Sequence, residues 1–296
     1  MYALKDYGDM IMDAVRMPAY EAALRAMVRP GARVLDLGSG TGILGLIAAR
    51  LGAAHVHAIE PEPVAQVARE IAAANGLDRT ITFHQALARD VELPERVDLI
   101  VSDLRGILPF FRNSLGAVID ARRRFLAPDG AIIAQRDSVW AAPVESEELF
   151  ARVSRPWLQN EWGLDLRHAS ILAANSLGRG PVRPEGLLAP PALCATLDYA
   201  TVNTTDAEAD VEFIAGRRGV GHGLAIWFDS ELAPGITLSN APGRPDLVYG
   251  IGYLPWPAPV PVEEGDRVGV RLSARLAGGD YVWSWRSQVR GAGGEN

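Results

Sequence analysis

The stretch Arg33-Val34-Leu35-Asp36-Leu37-Gly38-Ser39-Gly40-Thr41-Gly42-Ile43-Leu44-Gly45 constrains the fold more than any other part of the chain. Its apolar start predicts a strand, its alternating glycines a tight loop, and its end the first turn of a helix. A loop of this kind brings backbone N–H groups close to a ligand at a helix N-terminus. Around it, Ala32 to Leu37, His55 to Glu60, Thr80 to His84, Val97 to Asp103 and Ala131 to Gln135 read as strands. Between the second and third, Val64, Val67, Ala68 and Ile71 fall at helical spacing, with Pro61 and Pro63 at the start and Asn75-Gly76 as the stop. This alternation predicts a mostly parallel sheet covered by helices, with its ligand at the carboxyl ends of the strands.

The texture changes near residues 134 to 140. All seven tryptophans and 13 of the 20 prolines lie after residue 135. Short apolar runs follow, including Ala195 to Val202, Leu224 to Phe228, Asp246 to Tyr253, Arg267 to Leu272 and Tyr281 to Trp285. Gly and Pro separate them, which predicts an antiparallel sandwich or barrel. The expected division is therefore a mostly parallel α/β domain over residues 1–134 and an antiparallel sandwich or barrel over 135–296.

Glu60 ends the strand after the glycine loop, where its carboxylate can accept both hydroxyls of a ribose. Gly40-Thr41-Gly42-Ile43-Leu44-Gly45 also satisfies the dinucleotide pattern G-x-G-x-x-G. Asp36, two residues before the first glycine, separates the two cofactors. A carboxylate there opposes a pyrophosphate but can accept a hydrogen bond from the amino group of a methionine moiety. The reading is S-adenosylmethionine, with an NAD-dependent oxidoreductase as the lesser alternative.

A net charge of −7, from 29 basic and 36 acidic residues, gives no broad attraction to phosphate backbones or anionic lipids. No nucleic acid and no membrane are expected as partners. Nothing at the N-terminus reads as a secretory signal, so the expected location is cytoplasmic. Cys194 is the only cysteine, which excludes an intrachain disulfide and a cysteine-built zinc site. His55 and His57 have no carboxylate or cysteine cluster at ligand spacing, and no metal is expected. Lys5 is the only lysine, so an arginine at a given site need not be a geometric choice over lysine.

From about Tyr7 to Trp285 the chain resembles the protein arginine methyltransferases. The resemblance rests on Asp9-Met10-Ile11-Met12-Asp13-Ala14-Val15-Arg16, the glycine loop, Glu60, Val97-Asp98-Leu99-Ile100-Val101-Ser102 and Leu126-Ala127-Pro128-Asp129-Gly130. Trp162-Gly163-Leu164-Asp165-Leu166 and Leu224-Ala225-Ile226-Trp227-Phe228-Asp229 extend it into the second half. It implies an α/β Rossmann-like domain followed by a β-barrel domain, a homodimer with a dimerisation arm at about residues 170–191, and S-adenosylmethionine as cofactor, leaving as S-adenosylhomocysteine. It also implies cofactor contacts from Tyr7, Met10, Arg16, Asp36, Gly38, Ser39, Gly40, Gly42, Ile43, Leu44, Glu60, Pro61, Ala88 and Arg89, with Arg16 gripping the cofactor carboxylate.

The acceptor half departs from the family. The positions of its two substrate-binding glutamates hold Asp103 and Arg112, and its Thr-His-Trp loop is matched by Leu247-Val248-Tyr249. Arg89 stands where the family has a glutamate near the adenine. Asp103, Arg112 and Tyr249 are the expected acceptor-site residues. Asp103 can orient a nucleophile or take its proton. Arg112 can bind an anionic group, pair with Asp103 or face solvent, and Tyr249 can line the pocket or fill the barrel. The expected activity is methyl transfer to nitrogen or oxygen of a peptide, protein or specialised metabolite, with ordinary protein arginine disfavoured. The rival reading is a non-catalytic dimeric scaffold.

Overall fold

A computed structural model of the chain describes residues 2–292. Two helices, α1 (Leu4–Met12) and α2 (Arg16–Met27), precede the sheet. There follow β1 (Arg33–Leu37), α3 (Ile43–Arg50), β2 (His55–Ile59), α4 (Val64–Ala74), β3 (Ile81–His84), β4 (Val97–Ser102), α5 (Ser114–Phe125) and β5 (Leu126–Ile133). The strands form one parallel sheet in the order β3-β2-β1-β4-β5. The four buried residues in a row on β1 and on β2 reflect a sheet covered on both faces. The order in which strands are added reverses between β1 and β4, which is where a ligand crevice opens in such a sheet. In register, Leu37 pairs with Ile59 on one side and Ser102 on the other. The residues that follow these three, Gly38, Glu60 and Asp103, therefore lie along one edge.

The second half contains β6 (Arg136–Val144), α6 (Glu147–Leu158), α7 (Arg167–Ala173), β7 (Gly178–Gly180), β8 (Ala192–Asp198), β9 (Ala207–Ile214) and β10 (Gly219–Ala233). It ends with β11 (Ile236–Ser239), β12 (Ile251–Val262), β13 (Arg267–Ala277) and β14 (Asp280–Arg290). One antiparallel sheet has the order β7-β12-β10-β6-β8, with β11 on β10, and a second has the order β14-β13-β9. They enclose a shared core with Val139, Leu272 and Ala274 inside it, and among the described residues no ladder closes them into a continuous barrel. That core continues into the parallel sheet through Leu108, Phe110 and Phe228.

Some boundaries differ from those the sequence predicts. β5 begins at Leu126 rather than Ala131, because the turn residues Pro128-Asp129-Gly130 lie within the strand as an irregularity in its pairing. Residues 246–250 form a turn, and β12 starts only at Ile251. Part of the interval 170–191 is tied to the domain body. β7 pairs with β12, and Leu188 N–H donates to Pro143. The segment that presents apolar side chains to solvent is α6, α7 and their connection, where Trp162 is 77% exposed. Among the described residues no helix is long and apolar enough to cross a membrane.

Candidate active site

The glycine loop turns back onto β2 through backbone bonds. Gly38 and Ser39 N–H donate to Ile59 O at 2.9 and 3.1 Å, and Gly42 N–H donates to Ser39 O at 2.7 Å. Gly38, Gly40 and Gly42 have φ of 73°, 53° and 79°, a region costly for any residue with a Cβ. Space is a second constraint. A Cβ on Gly40 would lie 2.6 Å from the Tyr7 ring, and one on Gly38 would lie 2.2 Å from Leu104. Helix α1 is thereby laid over the loop.

Glu60 fixes this corner. Its Oε2 accepts from Gly40 N–H and its Oε1 from Glu62 N–H, both at 2.9 Å. Burial raises its pKa, and the two backbone donors oppose the rise. Each carboxylate oxygen keeps a further lone pair for a ligand hydroxyl. The buried Ser39 Oγ has no partner in the structure, so the loop retains an unused polar group. This set fits a ribose-bearing cofactor.

The corner opens into a cleft of about 1150 Å³ that reaches across to the antiparallel domain. Tyr7, Met10, Gly38, Glu60, Pro61 and Ala88 line its cofactor end, and Asp103, Arg112 and Tyr249 its far wall. All three residues expected at the acceptor site are thus brought together. Tyr249 is buried, and its phenol donates to Asp103 at 2.7 Å.

Arg16, Asp36 and Arg89 do not line the cleft itself. Arg16 is buried behind the cleft wall, with Nη2 2.5 Å and Nε 2.6 Å from Asp103 Oδ2 and Nη1 on Met10 O. Asp36 is 1% exposed and its Oδ2 accepts from Gly45 N–H at 2.7 Å, which ties β1 to the first turn of α3. Burial pushes its carboxyl up to about 7, against the Gly45 hydrogen bond. Arg89 stands outside the cleft beside Asp90, its side chain 72% exposed. In the loop helix, Leu44 is turned into the core and Ile43 packs against it.

A residue that the sequence reading passed over, Arg105, organises the acceptor wall. It is two positions beyond Asp103, and its guanidinium is enclosed at the junction of the two domains. Nε and Nη2 form a bidentate pair with Asp137 at 3.0 and 2.8 Å. Nη2 also donates to Ser230 at 3.0 Å, and Nη1 to Tyr20 and Asp103 at 2.6 and 3.1 Å. Tyr199 donates to Asp137 at 2.6 Å. Two arginines and two aspartates thus cancel in a desolvated cluster whose charged groups are all hydrogen-bonded, as burial demands.

Asp103 is the member facing the cleft. Burial would raise its pKa, but Arg16 and Arg105, together with hydrogen bonds from Tyr249 and Arg16, outweigh that and hold it at about 2. A carboxylate held this low orients a nucleophile but makes a poor base near neutral pH. The folded value lies below the ordinary 3.8, so its stabilising contribution is complete above about pH 4 and is lost as pH falls toward 2. The two values correspond to about 2 kcal/mol. Thermal unfolding followed from pH 5 to pH 2 should therefore show a smaller drop in Tm for Asp103→Asn than for the parent; parallel curves would contradict the pairing.

Arg112 has φ +47°, and its N–H donates to Asp280 Oδ1 at 3.2 Å. Its guanidinium carbon lies 5.1 Å from the centre of the Phe111 ring. It pairs with neither Asp103 nor any other carboxylate among the described residues.

Residues 21–163 match the family described as "Ribosomal protein L11 methyltransferase (PrmA)". "Arginine N(omega)-methyltransferase" of Streptomyces achromogenes subsp. streptozoticus is 31% identical over 279 residues, covering 89% of this chain and 74% of the relative. "Probable protein arginine N-methyltransferase 6" of Arabidopsis thaliana is 32% identical over 237 residues, covering 77% of this chain. The chain spans about half the length of that plant relative, 54%. Among solved structures, "Trypanosoma brucei PRMT1 enzyme-prozyme heterotetrameric complex with AdoHcy" superposes with a TM-score of 0.88, covering 97% of this chain and 93% of that one at 24% identity. At that identity the likeness shows a common fold.

Proposed function

Since the chain belongs to the protein arginine methyltransferase-like family of S-adenosylmethionine-dependent methyltransferases, we propose that it transfers a methyl group to nitrogen or oxygen of an acceptor other than ordinary protein arginine. The observation that carries the finer part is Asp103, whose charge is already matched by Arg16 and Arg105. A cationic guanidinium would find no spare negative charge there and would meet Arg112 across the cleft, a repulsion that grows with desolvation.

When bound, S-adenosylmethionine supplies a methyl carbon whose bond to sulfur breaks as the bond to acceptor nitrogen or oxygen forms, the acceptor proton passing to solvent. Glu60 accepts the ribose hydroxyls, and the glycine loop and Ser39 approach the rest of the cofactor. Tyr7 and Met10 on α1 cover it and exclude water. Asp103 and Tyr249 orient the acceptor atom for in-line attack. The exposed apolar side chains of the α6–α7 segment, which overlaps the start of the 170–191 arm, are the proposed homodimer contact. Trp162 and Leu172, 77% and 64% exposed, are large apolar groups for a surface with no other cover.

Methyl-labelled S-adenosylmethionine incubated with the protein and an extract of its source cells tests the reaction. Label is expected in peptide, protein or small-molecule material at atoms other than side-chain arginine nitrogens. Label on protein arginine would overturn the acceptor reading. No label in any fraction would favour a scaffold over an enzyme. A second measurement tests assembly: light scattering should give twice the chain mass for the parent and one chain mass for Trp162→Ser combined with Leu172→Ser.

A further inference from the structure

We propose that Arg112 and Arg179, with the Tyr2 phenol beside them, form a binding site for a free carboxylate on the methyl acceptor; this rests on the methyltransferase reading above. All three residues line the cleft. Arg179 Nη1 donates to Val248 O at 3.4 Å, on the turn that carries Tyr249. The charges of Arg112 and Arg179 also oppose the rise that burial gives the Tyr2 pKa.

What sets these two cations apart is that they line the cleft without an ion-pair partner. Arg267, Arg271 and Arg275, by contrast, are matched across strands by Glu212, Asp210 and Glu208. Among the described residues neither the Arg112 nor the Arg179 guanidinium forms an ion pair with a carboxylate, although both residues line the cleft. Cleft carboxylates are engaged elsewhere. Asp103 is held between Arg16 and Arg105, while Asp280 Oδ1 accepts from the Arg112 and Tyr281 backbone N–H groups. Glu60 and Glu62 belong to the cofactor corner.

Two planar guanidiniums and a phenol present donors suited to one carboxylate. The nearby negative charges of Asp103 and Asp280 oppose the second charge of a phosphate monoester. The site therefore selects a singly charged carboxylate, and the acceptor atom lies at the other end of the same molecule, toward Asp103.

The test uses the full chain loaded with S-adenosylhomocysteine. Binding of the twenty free L-amino acids and of their carboxamides is compared by saturation-transfer NMR and titration, with free-acid and amidated tetrapeptides in a parallel arm. At least one acid should bind tenfold or more tightly than its amide. Arg112→Gln and Arg179→Gln should each abolish that preference while leaving S-adenosylhomocysteine affinity unchanged. Preference among single amino acids identifies a metabolite acceptor, and preference confined to tetrapeptides a peptide C-terminus; both support the carboxylate site. Equal binding of acid and amide, no binding of either, or a preference that survives both substitutions overturns it. Loss of S-adenosylhomocysteine binding by the parent protein would instead count against the cofactor reading, and the same pairs titrated into unloaded protein then decide the carboxylate site by itself.

Discussion

Replacing Arg105 with methionine is expected to destabilise the protein by about 3–5 kcal/mol, the usual cost of breaking a buried ion pair from one side. Asp137, 0% exposed, would lose its bidentate partner and keep only the Tyr199 hydroxyl. Asp103 would lose one of its two cations. For a chain of this size the Tm should fall by on the order of 10 °C. Arg105→Met combined with Asp137→Asn should recover part of the loss, because the remaining side chain is then uncharged. A single substitution that leaves Tm within 2 °C, roughly 1 kcal/mol or less by the same scaling, would mean that the cluster is not a structural joint between the domains.

Replacing Glu60 with alanine is expected to weaken S-adenosylhomocysteine binding by about 100-fold, since two charge-assisted hydrogen bonds to ribose are removed. The same carboxylate accepts Gly40 and Glu62 N–H, so part of the loss comes from a loop no longer held for the ligand. Glu60→Gln keeps the shape and one acceptor, and should fall between alanine and the parent. Isothermal titration separates the cases. An alanine variant that binds within threefold of the parent would remove Glu60 from the cofactor site.

The parallel sheet was largely legible because each of its strands is a local apolar run. Register then places Gly38, Glu60 and Asp103 along one edge; Glu60 was named from its strand end, and Asp103 through the resemblance. The α6 start was also written in the sequence, though not used. Ser146 caps the helix by accepting from Leu149 N–H, and Glu147 and Glu148 occupy its first turn. β9 reads Ala-Glu-Ala-Asp-Val-Glu-Phe-Ile, a period-two pattern that matches its alternating burial. Asp36 has a partner that the motif did not indicate: its buried carboxylate accepts from Gly45 N–H.

What the sequence determined by itself was the glycine loop, the acid one strand later and the change of texture near residue 135, all set by periodicity and backbone freedom within a few residues. What only the tertiary structure decided was which charges cancel. Arg105 meets Asp137 across 32 positions and Ser230 across 125, and Arg16 meets Tyr249 across 233. Such partners are chosen by how the antiparallel domain is stacked on the edge of the parallel sheet. A buried charge must find its counterpart wherever that stacking brings one, and no local pattern encodes the distance.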